Sequence, residues 1–252
     1  MPEVLAAVRA ASVAEVAWRD AAGERQVRGV VPLCTETGPA LAFPYADAAV
    51  ARSIGRAASV LLTLTEPRGT GTGWRPLALR CTPRLTEDRA GDRFVAELLD
   101  QELRKYPPAR ALADSVLLRR EHWWWLPRLI IDLSVTTVDP IASRATREDH
   151  LLVADDGARV VRAVPTPDGS VAVQAGDVPP GSVLVFGQDL SFPDLERWGQ
   201  WCWRGEWDGA TLHATLRPDR VGLPPTPGLL ERWRRQRRLE RGCRDALRAD
   251  PS

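Results

Sequence analysis

Lysine is almost missing from this chain: Lys105 is the only one, and all other basic residues apart from three histidines are arginine. Schiff-base chemistry or a lysine phosphate cradle could come only from Lys105, and neither is expected. Methionine is confined to Met1, while alanine and proline are plentiful, a bias that fits a GC-rich coding sequence. The four cysteines, Cys34, Cys81, Cys202 and Cys243, form no CxxC pair and have no histidine at ligand spacing. Scattered thiols suit a reducing cytosol better than disulfides or structural zinc, so no metal is expected. No apolar run approaches bilayer length. Residues 1–12 carry Glu3 and Arg9 and lack a long apolar core, so no secretion signal is expected there. The expected compartment is the cytoplasm, with no membrane partner. A net charge of +1 gives no global field toward nucleic acid either. GxSxG, HExxH, Walker and Rossmann fingerprints are all absent.

What is present is a chain long enough for one large or two modest domains, with no internal repeat. Pro39–Glu66 reads as strand, short helix, strand. Ala40–Phe43 is apolar and stops at Pro44. Asp47 can cap a helix that carries Val50, Ile54 and Ala57 on one face and Arg52, Ser53 and Arg56 on the other. Ser59–Thr65 is a Val/Leu/Thr-rich strand. Before this unit come a helix over Val4–Ala11, a strand over Ser12–Arg19, a turn at Ala21–Glu24, and a strand over Arg25–Cys34 containing Pro32. After it, the glycine-rich PRGTGTG has no GxxxxGK[ST] pattern and reads as a hairpin connection. Trp74–Thr82 is strand-like. Asp88–Lys105 places Phe94, Leu98, Leu99 and Leu103 on one helical stripe, and Ala109–Arg120 reads as a second short helix. An aromatic run, Trp123-Trp124-Trp125, leads into a strand over Leu129–Val138.

From about residue 145 the pattern becomes short strands punctuated by Asp156-Gly157, Asp168-Gly169 and Pro179-Pro180-Gly181. A helix is expected over Leu195–Trp201, and a hairpin through Asp208-Gly209. Pro224–Pro227 reads as a linker and Leu229–Ala249 as a basic helix. The expected organisation is therefore 1–142, 145–223 and 224–252. The last segment holds eight arginines. It is compatible with RNA or an anionic surface, but reads first as a solvated terminal helix, so nucleic acid is not an expected partner.

The hairpin Gly29-Val30-Val31-Pro32-Leu33, the unit ALAFPYADAAVARSIGRAASVLLTLTE, the Trp74–Cys81 strand and the ending HWWWLPRLIIDL together resemble the FMN-binding split barrel of the pyridoxamine 5′-phosphate oxidase-like superfamily, which includes flavin- and deazaflavin-dependent oxidoreductases. The resemblance covers a little over half the chain; the rest matches no pattern of known function. It implies a mainly β fold with peripheral helices (α+β): a six-stranded antiparallel split β-barrel, a smaller β-rich domain and a C-terminal helix.

The resemblance also implies a homodimer binding FMN, or less readily F420, and moving a hydride to or from a small organic substrate. The flavin phosphate would lie by the third and fourth strands and the helix between them. Where the family often places a Ser/Arg/Lys cluster at the start of that helix, this chain has Ala48, Ala49 and Val50. The cofactor contacts available are Arg28, Arg52, Ser53 and Arg56 for the phosphate, with Tyr45 and Trp74 for the ring. Trp124 and Arg128 are the nearest counterparts of the family's C-terminal tryptophan and arginine. If the triple tryptophan is extended, Trp123 and Trp125 face one way and Trp124 the other, which suits a dimer interface or a cofactor pocket. No catalytic residue is assigned, because flavin chemistry belongs to the cofactor. Two other readings stay open: a non-catalytic binding or assembly module that has lost the flavin site, and a haem-binding relative using His122 or His213.

Overall fold

The computed structural model describes residues 1–166, 170–174, 176 and 178–249; the expected turn at Asp168-Gly169 lies outside them. The chain is mainly β, with two antiparallel sheets and a long C-terminal helix.

The first sheet has seven strands: β1 (Ala14–Arg19), β2 (Arg25–Val30), β3 (Leu33–Cys34), β4 (Pro39–Pro44), β5 (Val60–Leu64), β6 (Leu77–Asp88) and β7 (Arg128–Pro140), in the order β2-β1-β5-β6-β7-β4-β3. Its two edge strands, β2 and β3, are consecutive in the chain and separated only by Val31 and Pro32. The sheet must therefore roll until its edges meet. Pro32 has no amide donor and splits the expected Arg25–Cys34 strand, so that β2 pairs with β1 while β3 pairs with β4. Inside the roll, Val16, Leu62, Leu79, Leu129 and Ile131 are fully buried. Among the helices that pack on it are α1 (Pro2–Ala10), α2 (Ala48–Arg56) and α3 (Leu99–Lys105).

The second sheet is a closed six-stranded barrel of β8 (Asp149–Val153), β9 (Ala158–Pro165), β10 (Val171–Gln174), β11 (Gly181–Leu190), β12 (Trp198–Trp207) and β13 (Thr211–Leu216), in the order β10-β13-β12-β11-β8-β9. The mainly β fold with a closed six-stranded antiparallel barrel, a second sheet and a C-terminal helix is as expected; the hydrogen-bonded closure lies in the second half of the chain, and the N-terminal sheet is rolled and has seven strands.

Local chemistry accounts for the other departures. The expected helix at Leu195–Trp201 is absent. Ser191 and Asp194 resemble a helix start, but they close a loop: Ser191 N–H donates to Arg197 O at 2.9 Å, and Arg197 N–H donates to Ser191 Oγ at 3.0 Å. Trp201, Trp203 and Trp207 then alternate into the barrel core along β12, a period of two rather than of helix. The triple tryptophan is a 3-10 turn, not an extended segment, with Trp124 and Trp125 buried and Trp123 exposed. The stripe before it is a π-helical turn over Phe94–Leu98 followed by α3. The second short helix is broken into α4 (Arg110–Ala113) and α5 (Val116–Glu121), where Ser115 Oγ caps Leu118 N–H at 3.2 Å. Finally, β6 begins at Leu77, because Trp74 turns away to bond with α1.

The barrel docks on the outer face of the β1–β2 hairpin. Ala17, Leu151, Val153, Leu184 and Phe186 form a small apolar core at this junction. Gly29 on β2 lets the barrel approach: a Cβ there would lie 2.5 Å from Gln188 Oε1 and 2.8 Å from the Trp198 ring. Gln200 grips the same residue, accepting from Gly29 N–H at 3.0 Å and donating to Gly29 O at 3.3 Å. The last helix, α6 (Leu229–Ala249), returns to the rolled sheet.

Candidate functional site

The residues expected to hold a cofactor lie around α2. This helix is short and amphipathic, with Ala48, Ala51 and Ile54 buried and its other face toward solvent. Between that outer face, the β1–β2 hairpin and β12 runs an open groove of about 700 Å³. Trp18, Arg28, Val50, Ser53, Trp198 and Gln200 are among its lining residues. Of the expected contacts, the fold brings Arg28 and Ser53 together there. Asp20 sits at one end, accepting from Gln26 at 2.7 Å and from the amides of Ala22 and Glu24. The bond from Gln26 leads the causes that hold its carboxyl below the usual range.

Among the described residues, each cationic or polar group around α2 has a partner, apart from Arg56. Arg28 pairs with Asp47 at 3.0 Å, and its guanidinium lies 5.9 Å from the Phe43 ring. Asp47 does precede α2, but its side chain makes no capping bond. Arg52 donates from Nε and Nη2 to one oxygen of Glu87, at 3.1 and 2.8 Å. The other Glu87 oxygen accepts from Tyr45 at 3.2 Å. Burial, reinforced by Glu87, pushes the Tyr45 phenol up to about 12. Ser53 accepts from the Trp18 indole at 2.9 Å. Arg56 is exposed at the end of α2.

The remaining expected contacts lie away from the groove. Trp74 donates to Ala7 O at 3.1 Å beneath α1. Trp124 is buried at 1% exposure. Arg128 is wholly buried, stacked 4.1 Å from the Phe94 centroid and 3.9 Å from that of Trp125, with Glu102 at 3.6 Å. His122 turns Nε2 to the Gln236 side chain at 3.0 Å, and His213 turns its Nε2 to Asp208 at 2.9 Å.

No family model and no curated protein matches the chain. Among solved structures, the haem storage protein HutZ from Vibrio cholerae is similar at 12% identity and a TM-score of 0.39, over 55% of this chain and 92% of that one. A pyridoxamine 5′-phosphate oxidase-related, FMN-binding protein from Nostoc punctiforme is similar at 12% identity and a TM-score of 0.32, over 66% of this chain and 87% of that one. A haem-binding protein from Mycobacterium smegmatis is similar at 9% identity and a TM-score of 0.36, over 97% of both chains. Scores and identities this low transfer no ligand from one protein to another, so the site stands on its own geometry.

That geometry does not fit a flavin phosphate at the start of α2. The turn at Tyr45–Asp47 is covered by α6. Gly242 packs so closely there that a Cβ would lie 3.0 Å from Ala46 Cβ. Beside it, Cys243 is fully buried. Burial dominates and raises the Cys243 pKa. Arg89 fixes the far end of the contact by donating to Leu247 O at 2.8 Å. The start of α2 is thus covered by α6, and Asp47 and Glu87 would repel a phosphate brought to Arg28 or Arg52. The arginines are visible in the sequence but their pairing is not: Glu87 is 35 residues from Arg52, and nothing local in sequence joins them.

Proposed function

We propose that this chain is a non-catalytic binding or assembly module, built on a rolled sheet of split-barrel type, rather than a flavin-dependent oxidoreductase. One observation carries this reading: α6 closes over the start of α2, where the flavin phosphate would be held. The carboxylates of Asp47 and Glu87 support it by neutralising Arg28 and Arg52, two of the three arginines expected to replace the family's cradle.

An FMN-dependent enzyme remains the second reading, because the groove does bring Arg28 and Ser53 beside two tryptophans. Absorbance and calorimetric titrations with FMN, F420 and haemin separate the readings. No flavin or deazaflavin binding is expected up to high micromolar concentration, and haemin should give no Soret shift that depends on His122 or His213. Micromolar FMN binding that disappears in Arg28→Ala/Arg52→Ala would overturn the module reading in favour of the enzyme.

A further inference from the structure

The C-terminal helix has two faces. One is buried, with Cys243 at its centre and Leu239, Ala246 and Leu247 packed on the rolled sheet. The opposite face carries a row of arginines. Arg234, Arg238, Arg241 and Arg248 follow one another at spacings of four, three and seven residues, which places them on one stripe. All four are exposed, and among the described residues none of them has an acidic partner. The stripe extends over about 21 Å of helix. Beside it, Arg237 and Arg244 share Glu240, which offsets one of their two charges. Among the described residues, Asp245 is the one other acid lining the open groove of about 710 Å³ along these side chains.

Two exposed tryptophans flank the row. Trp233 is 55% exposed and Trp123 is 52% exposed. Arg237 lies 5.5 Å from the Trp233 centroid, and Arg244 lies 5.3 Å from that of Trp123. Unpaired guanidiniums bind phosphates through two parallel hydrogen bonds, and exposed indoles accept stacked bases. An anionic membrane fits less well, because the apolar side of α6 that would have to enter the bilayer is already packed inside the protein.

We propose that α6 binds single-stranded nucleic acid, the four free arginines tracking the phosphates and Trp233 stacking on a base. The proposal is independent of what the groove at α2 holds. The test is fluorescence anisotropy with a labelled oligouridylate of about 20 nucleotides, longer than a single contact site. Binding should weaken with salt, log K against log[salt] having a slope of about −3 for four phosphate contacts to a single strand. Arg234→Gln/Arg238→Gln/Arg241→Gln/Arg248→Gln should abolish binding at moderate salt and leave the melting temperature unchanged. Trp233→Ala should weaken it at least fivefold, the lower end of what one stacked base contributes. The milder pair Arg234→Gln/Arg238→Gln should roughly halve the salt slope, which keeps the test intact should the fourfold variant fold poorly. Absence of binding at low salt, a slope near zero, or binding of phosphatidylserine vesicles in place of the oligonucleotide would overturn the proposal.

Discussion

Arg128 shows what this molecule does with a charge it has removed from water. Its guanidinium is wholly buried, and its flat faces are covered by the rings of Phe94 and Trp125. Desolvated stacking of this kind is worth about 2 kcal/mol. Burial alone would drive Arg128 toward deprotonation and Glu102 toward protonation, and each partner opposes the shift of the other. Truncating one member leaves the other buried and uncompensated. Arg128→Ala should therefore cost about 3–5 kcal/mol of unfolding free energy. Arg128→Met/Glu102→Gln should recover most of that loss, since it removes both charges and keeps the volume. Urea titrations of the three proteins check this. A loss below about 1 kcal/mol for the single variant would show that the pair is not coupled as the geometry requires. In sequence, Arg128 stands beside three tryptophans and invites a cofactor role. Phe94 and Glu102, which close around it in space, lie 34 and 26 positions earlier, and no local pattern links them to it.

At the scale of elements, α6 owes its seat to Gly242. Glycine inside a helix gives up about 1 kcal/mol relative to alanine, so its presence needs a reason, and the contact with Ala46 supplies one. Alanine at 242 would gain helix propensity but bring its Cβ to 3.0 Å from the Ala46 methyl. These effects oppose each other at similar size, and Gly242→Ala should be close to neutral. Gly242→Leu should cost about 1–3 kcal/mol by overpacking and free α6 to proteolysis before global unfolding. Limited trypsin digestion reads this directly, because the helix is rich in arginine. Equal resistance in the leucine variant would contradict the seat. Elements with their own punctuation were legible in the sequence: α2 between Pro44 and a Val/Leu strand, and the β12–β13 hairpin around Asp208-Gly209. The Leu195–Trp201 segment was not. Its Ser and Asp make the same bonds in a hairpin loop as at a helix start, and only the pairing of β12 along the whole of β11 decides between them.

At the scale of the whole molecule, the rolled sheet and the barrel meet around one buried acid. Glu15 on β1 accepts from Thr63 and Thr65, each at 2.8 Å, and from Gln188 of the barrel at 2.7 Å. Arg144, from the segment joining the two sheets, lies 3.7 Å from the carboxylate and donates to Gln188 O at 2.6 Å. This junction was invisible in the sequence. Glu15 sits on a strand read only by its alternation, and its partners come from β5 and the residue just after it, from β11 and from the connection between the sheets. Burial raises the Glu15 pKa, against Arg144 and the two threonine hydroxyls, which favour the ionised form, while nearby Glu66 adds to the rise. A carboxyl raised in this way binds its proton more tightly folded than unfolded. Its contribution to stability is therefore fully present below about pH 4.3, the unfolded value, and is lost as pH rises through the folded pKa. Glu15→Gln keeps a hydrogen-bonding side chain of the same shape and cannot ionise. Relative to the wild type it should thus be more stable at pH 8 than at pH 4.5, and the difference in unfolding free energy should move in its favour across that interval. Denaturant titrations of both proteins at the two pH values measure it. A difference that moves toward the wild type with rising pH would show that Arg144 and the threonines outweigh burial, holding Glu15 ionised where the two sheets meet.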